Sequence, residues 1–316
     1  MLMRNFQPLK VCASLSSVLG VTAVLALMPL SARAQTLFAA FETSGNIRSF
    51  SLTGTDQGNF AVPGGATESM AFDAAGNLYV ARFSAGTVER YAPNGTSLGT
   101  FATVPGAVGL AFDASGNLYV SSQTVGNVRR FSSTGTDLGV FASSGITSPY
   151  GLTFDTTGNL YVADRNASNV RRYSSTGTDL GVFATGGLNN ATGLAFDATG
   201  NLYVSSFNGN VIRRYSSTGT DLGNFFTSGV SQPVSLAFDT TGNLYIANFG
   251  ASNVLKVSSA GASLGTFTAP GSTGATGLAI SRIVVSAPEP GSLALLAITV
   301  LPGTGIVLRR LKRVNG

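Results

Sequence analysis

The chain has 316 residues, 40 of them Gly and only 10% charged; it has no His and no Trp, and its single Cys is Cys12. Every mechanism that needs an imidazole is excluded, while a 44% apolar content still permits a full core. The formal charge of +5 belongs to the two ends: between 35 and 287 there are twelve basic and thirteen acidic residues, a net of about −1, so the body offers no positive field to a nucleic acid.

The N-terminus reads as a leader. Arg4 and Lys10 precede an uncharged run from Val11 to Leu30, and Ala32-Arg33-Ala34 supplies the small residues of a cleavage site before Gln35. Residues 1–34 are therefore expected to be a signal peptide removed by signal peptidase, with a retained anchor as the alternative. Cys12 leaves with the leader, and the mature chain then has no disulfide, thiolate metal site or cysteine nucleophile.

From 35 to 287 the sequence repeats. Phe-Asp pairs begin at Phe72, Phe112, Phe154, Phe196 and Phe238, at spacings of 40, 42, 42 and 42, and one further step of 42 lands on Ile280. The unit starting at Gly193 contains four candidate strands, GLAF, NLYVSS, NVIRRY and LGNFF. No unit offers ten residues free of Gly or turn clusters, and β-branched and aromatic residues fill the apolar positions, so helix is excluded. Asp-x-x-Gly-Asn recurs at Asp73, Asp113, Asp155, Asp197 and Asp239, where a short acceptor opens a turn and Gly supplies a positive φ. One carboxylate per turn is too few for a calcium ion, which needs six to eight oxygens.

Four antiparallel strands at this period predict an all-β fold, a β-propeller of four-stranded blades. Leu37 to Ala40 aligns with a second strand, since Phe38 precedes Phe50 by the 12 residues that separate Tyr203 from Tyr215; Leu278 to Ser281 aligns with a first strand. The last strand of the chain thus completes the opening blade, and six blades close over residues 36 to about 285, without an unpaired end. The units resemble NHL repeats, whose Gly-apolar-apolar-apolar-Asp followed by Gly-Asn-apolar-Tyr-Val is matched almost letter for letter. That resemblance supports the fold; the family includes enzymes, protein binders and RNA binders, so it leaves function open.

The tail at 288–316 carries Pro288-Glu289-Pro290, an uncharged stretch from Gly291 to Leu308, and then Arg309, Arg310, Lys312 and Arg313. Eighteen residues of helix rise about 27 Å, enough for a membrane span over 291–308, and the cations after it favour an exported body. This order resembles the PEP-CTERM sorting signal of Gram-negative bacteria. It implies recognition by an exosortase, removal of the tail after transient anchoring, and delivery to the cell surface or the extracellular polysaccharide matrix; a permanent anchor is the alternative. The LPxTG-like Leu301 to Gly305 lies inside the apolar stretch, where a sortase could not reach it.

Three sets of residues are candidates for function. The residue closing each second strand reads Phe41, Arg82, Ser122, Asp164, Ser206 and Asn248, and the position two before each first-strand Leu or Met reads Glu68, Val108, Tyr150, Thr192, Val234 and Thr276. Both columns vary while the rest of the unit hardly changes, and both are expected to ring the channel mouth. The third set is basic: Arg90, Arg130, Arg172, Arg214 and Lys256 share one column, broken only by Ser49, and would form an arc able to grip carboxylated polymers. Against that, Asp137, Asp179 and Asp221 lie in the turns after the Arg pairs and could neutralise them. Resemblance to other six-bladed enzymes leaves one catalytic alternative, a lactonase-like hydrolase whose divalent metal would be held by residues such as Glu68, Asp164 and Asn248. The main expectation is a binding or structural propeller without cofactor, whose partner is an acidic exopolysaccharide or an envelope protein.

Overall fold

Each repeat folds into four short antiparallel strands, which in the fifth blade are Ala191–Phe196, Leu202–Ser206, Val211–Tyr215 and Asp221–Phe226. The computed structural model describes residues 35–42, 44–269 and 271–282; the expected leader at 1–34 and tail at 288–316, with its span at 291–308, lie outside them. The described residues form six such sheets. The second strands are buried throughout, as at Leu202, Tyr203 and Val204, because both faces of each blade pack on neighbouring blades and alternate side chains serve alternate neighbours. The outer strands, facing solvent on one side, alternate between exposed and partly buried residues.

The ring closes as the repeat count requires. Ala275–Arg282 is the inner strand of the first blade and pairs antiparallel with Gln35–Phe41, Phe38 opposite Ala279 and Gln35 opposite Arg282. The remaining blades span 69–103, 107–142, 149–184, 191–226 and 233–267. Six apolar clusters hold the ring together, one between each pair of neighbouring blades.

An aromatic wedge recurs at these interfaces. Tyr161 meets Phe183 of its own blade and Phe196 of the next edge-on, with centroids 4.8 and 4.9 Å apart, and Tyr79, Tyr119 and Tyr203 repeat the arrangement. Edge-to-face pairs of this kind contribute about 0.5–1.5 kcal/mol each beyond their buried area. Nearer the axis the blades approach more closely still. A Cβ at Gly109, Gly151 or Gly193 would overlap the carbonyl oxygen of Tyr150, Thr192 or Val234 on the next inner strand, so only glycine permits this packing.

Because the strands run alternately up and down, the turns divide between two faces. The Asp-x-x-Gly-Asn turns and the turns between third and outer strands share one, the turn face. The turns between second and third strands and the loops from blade to blade share the other, the loop face.

Candidate functional site

On the turn face the aspartates of five blades are held within their own turns. In each Asp-x-x-Gly-Asn turn one carboxylate oxygen accepts the backbone N–H of the Asn and the other accepts its side-chain amide, at 2.9 and 3.0 Å for Asp197 and Asn201. Tyr119, Tyr161 and Tyr245 donate their hydroxyls to Asp113, Asp155 and Asp239 at 3.2, 3.2 and 3.3 Å. Burial pushes the phenols of Tyr79, Tyr119, Tyr161 and Tyr203 above their ordinary value of 10.0, which the nearby Arg opposes and the nearby Asp reinforces. They remain protonated donors at neutral pH.

The two residues of each Arg pair have separate roles, as alternation along a strand demands. The first arginine forms an ion pair with the Asp that opens the outer strand: Arg129 with Asp137, Arg171 with Asp179 at 2.5 Å, Arg213 with Asp221, and Arg48 with Asp56 at 2.5 Å. The second sits opposite the interface tyrosine, Arg130 across from Tyr119 and Arg172 across from Tyr161. The guanidinium groups of Arg90, Arg130, Arg172 and Arg214 lie 5.7–5.9 Å from the centroids of Phe101, Phe141, Phe183 and Phe225. Lys256 lies 5.4 Å from the Tyr245 centroid and donates to the Leu52 carbonyl at 2.8 Å.

On the loop face the structure separates the two variable columns. The second-strand column does not ring the channel mouth but clasps the loop that enters its own blade. Asp164, fully buried, accepts the N–H groups of Thr147, Ser148 and Ala167 at 2.6, 3.1 and 3.2 Å and the Thr147 hydroxyl at 3.0 Å. Asn248 accepts from Ser231 N–H at 2.6 Å and donates to the Gly229 carbonyl at 2.9 Å. Ser122 donates to the Pro105 carbonyl, Ser206 accepts from Asn189 N–H, and Arg82 donates to the Gly64 carbonyl. These residues vary because each blade-to-blade loop offers different donors and acceptors. Glu68, Asp164 and Asn248 therefore do not converge on a metal, and among the described residues no three Asp or Glu side chains come together to hold one.

The first-strand column does face the axis. Tyr150 and Val234 are buried together with Val108 at the mouth. Tyr150 reaches past the third blade to donate its hydroxyl to Glu68 Oε2 at 2.7 Å, while Thr192 turns aside and donates to the Pro233 carbonyl at 2.9 Å, and Thr276 to that of Thr67. Burial raises the Glu68 carboxyl above its ordinary value of 4.5; the Tyr150 hydrogen bond opposes this, Glu42 adds to it and Arg165 subtracts. Burial and the Glu68 charge raise the Tyr150 phenol far above 10.0.

Over this pair lies a residue that the column reading passes by. Arg165 places its guanidinium 5.5 Å from the Tyr150 centroid and 4.8 Å from that of Phe207, and Phe207 stands 6.3 Å from Phe249. The signal for these residues is one position further along the chain, where the repeat reads Glu42, Phe83, Gln123, Arg165, Phe207 and Phe249. The axial shaft holds a hollow of about 80 Å³ lined by Glu68, Val108, Tyr150 and Val234 together with Met70, Leu110, Leu152, Leu194, Leu236 and Leu278. A larger hollow of about 420 Å³ opens on the turn face, but its carboxylates, Asp197 and Asp239, are committed to their turns.

No protein-family model matches the sequence, and no curated protein does. Among solved structures, the chain is similar to one in a nidogen/laminin complex, with a TM-score of 0.69 and 21% identity over 78% of this chain and 98% of that one. It is similar to a protein of unknown function from Bacteroides caccae, with a TM-score of 0.64 and 16% identity over 79% and 99%. It is also similar to a gluconolactonase from Xanthomonas campestris, with a TM-score of 0.58 and 21% identity over 65% and 77%. At these identities the likeness is one of fold, and the fold serves binding proteins and lactonases alike.

Proposed function

We propose that the protein is an exported binding propeller of a bacterial envelope or its polysaccharide matrix, processed by signal peptidase and an exosortase, whose contact surface is the loop-face mouth. The observation that carries the reading is where the repeats diverge. The turn face and the blade interfaces repeat almost unchanged, whereas five different blades bring Glu42, Glu68, Tyr150, Arg165, Phe207 and Phe249 to one rim. A ring selected only for its shape has no use for such a rim, and aromatic faces beside isolated polar groups are the makings of a recognition site. The leader and tail motifs supply the address.

The test is binding of the full-length protein to extracellular polysaccharide from an exosortase-bearing bacterium, with and without EDTA. Binding should survive EDTA and fall by about 10-fold or more when Phe207 and Phe249 are both replaced by Ala. Binding that depends on a divalent ion, or that ignores the double substitution while needing the turn-face cations, would remove this reading.

A further inference from the structure

We infer that the mouth accepts a carboxylated sugar residue of a glycan, with Arg165 gripping the carboxylate; this rests on the loop-face reading above and names its ligand class. Arg165 is half-buried, held between the rings of Tyr150 and Phe207, and among the described residues no carboxylate forms an ion pair with it. Glu68, an acid close enough to feel its charge, already accepts the Tyr150 hydroxyl. A guanidinium fixed by two ring faces keeps its N–H edge free for an acceptor from outside, and a carboxylate matches that edge with two parallel hydrogen bonds.

The other groups at the rim narrow the choice of anion. Glu42 and Glu68 lie close enough to the cation to act on the same charges, which disfavours a doubly charged phosphate and suits a ligand with one negative charge and hydroxyls to donate. The second oxygen of Glu68 takes no hydrogen bond from the described residues, and so is available to such a hydroxyl. Phe207 and Phe249, half-buried with ring centroids 6.3 Å apart, put an apolar surface beside it for the C–H side of a pyranose. One charge, several hydroxyls and an apolar face together describe a uronate, and the narrow shaft below means that it is read at the surface, as one residue of a polymer.

Calorimetric titration of the full-length protein with uronate trimers of the galacto, gluco and manno series, and with their neutral counterparts, tests the inference. At least one acidic trimer should bind about 10-fold or more tightly than its neutral partner, the size expected of a charge-assisted bidentate contact. Arg165→Ala should erase the preference while the protein still unfolds cooperatively, Arg165→Lys should restore part of it, and the triple change Arg130→Ala, Arg172→Ala, Arg214→Ala should leave it intact. Equal binding of acidic and neutral trimers that is lost in Phe207→Ala overturns the carboxylate assignment alone and keeps the loop-face site. A preference that persists in Arg165→Ala and disappears in the turn-face triple variant overturns both, and no binding of any trimer overturns the ligand class.

Discussion

On the turn face, five of the six blades carry the same Asp, Tyr and cation, while on the loop face the column of Glu42, Phe83, Gln123, Arg165, Phe207 and Phe249 repeats nothing but Phe. The exception on the uniform side is informative. In the first blade the tyrosine is Phe38, the cation facing it is Ser49 and the turn aspartate is Ser281, so all three members are missing together. The ion pairs behave the same way. Arg48, Arg129, Arg171 and Arg213 each have an Asp to meet, whereas Glu89 and Leu255 are matched with Ser97 and Ser263. Groups kept or lost as sets are partners of one another, and the first cation of each pair, ion-paired to its own outer strand, is an internal fitting of the blade. The mouth lacks this accounting, which is why a partner has to be sought outside the chain.

Three measurements would break or sharpen that contrast. The largest effect is expected at a wedge: Tyr161→Ala, which empties the space between Phe183 and Phe196, should cost about 3–5 kcal/mol in chemical unfolding, while Arg165→Ala, which gives up only its two ring contacts, should cost about 1–2 kcal/mol. Equal costs would mean that the mouth is as structural as the interfaces. Next comes the clasp. Asp164→Ala leaves the Thr147 and Ser148 N–H groups without their acceptor and should cost about 1–3 kcal/mol, with hydrogen exchange rising first in the loop before the fourth blade. Exchange unchanged there would show that the loop holds itself.

The smallest effect is in pH, where the faces should pull in opposite directions. Burial works to raise the carboxyls of Asp155, Asp197 and Asp239, but the Asn and Thr hydrogen bonds outweigh it and hold them below 3.8. Their contribution is complete above the unfolded value of about 3.9 and is lost as pH falls through the lower folded values. Glu68 is raised, so its contribution is complete below the unfolded value of about 4.3 and is lost as pH rises through its folded value. In unfolding curves between about pH 2 and 8, Asp239→Asn should trim the acid limb, and Glu68→Gln should flatten the decline just above the unfolded Glu value. An acid limb unchanged in Asp239→Asn would refute the turn-face assignment.

Sequence alone reached the ring, because spacing carries it: the Phe-Asp interval, the 12-residue step from Phe38 to Phe50 and the Leu278 strand together determine six blades and their closure. It also singled out Glu68 and Tyr150, which the fold brings to 2.7 Å across an intervening blade. It could not divide the labour within each Arg pair, since alternation says that neighbours part but not which one meets the aspartate. The role of the clasp column, and Arg165 altogether, eluded it for a related reason. Asp164 ends a strand and turns inward to its loop, so the residue after it, and not Asp164 itself, leans over the axis. The direction a side chain takes at a strand end depends on the loop it must satisfy, and the repeat carries no period for that.

The pairing of Gln35 with Arg282 has a consequence for how the ring is presented. Those two positions lie side by side on the turn face, beside the aspartate turns of the fifth and sixth blades. Both ends of the described chain therefore meet on the turn face, and the aromatic rim with Arg165 lies on the opposite side of the ring, like the open side of a dish.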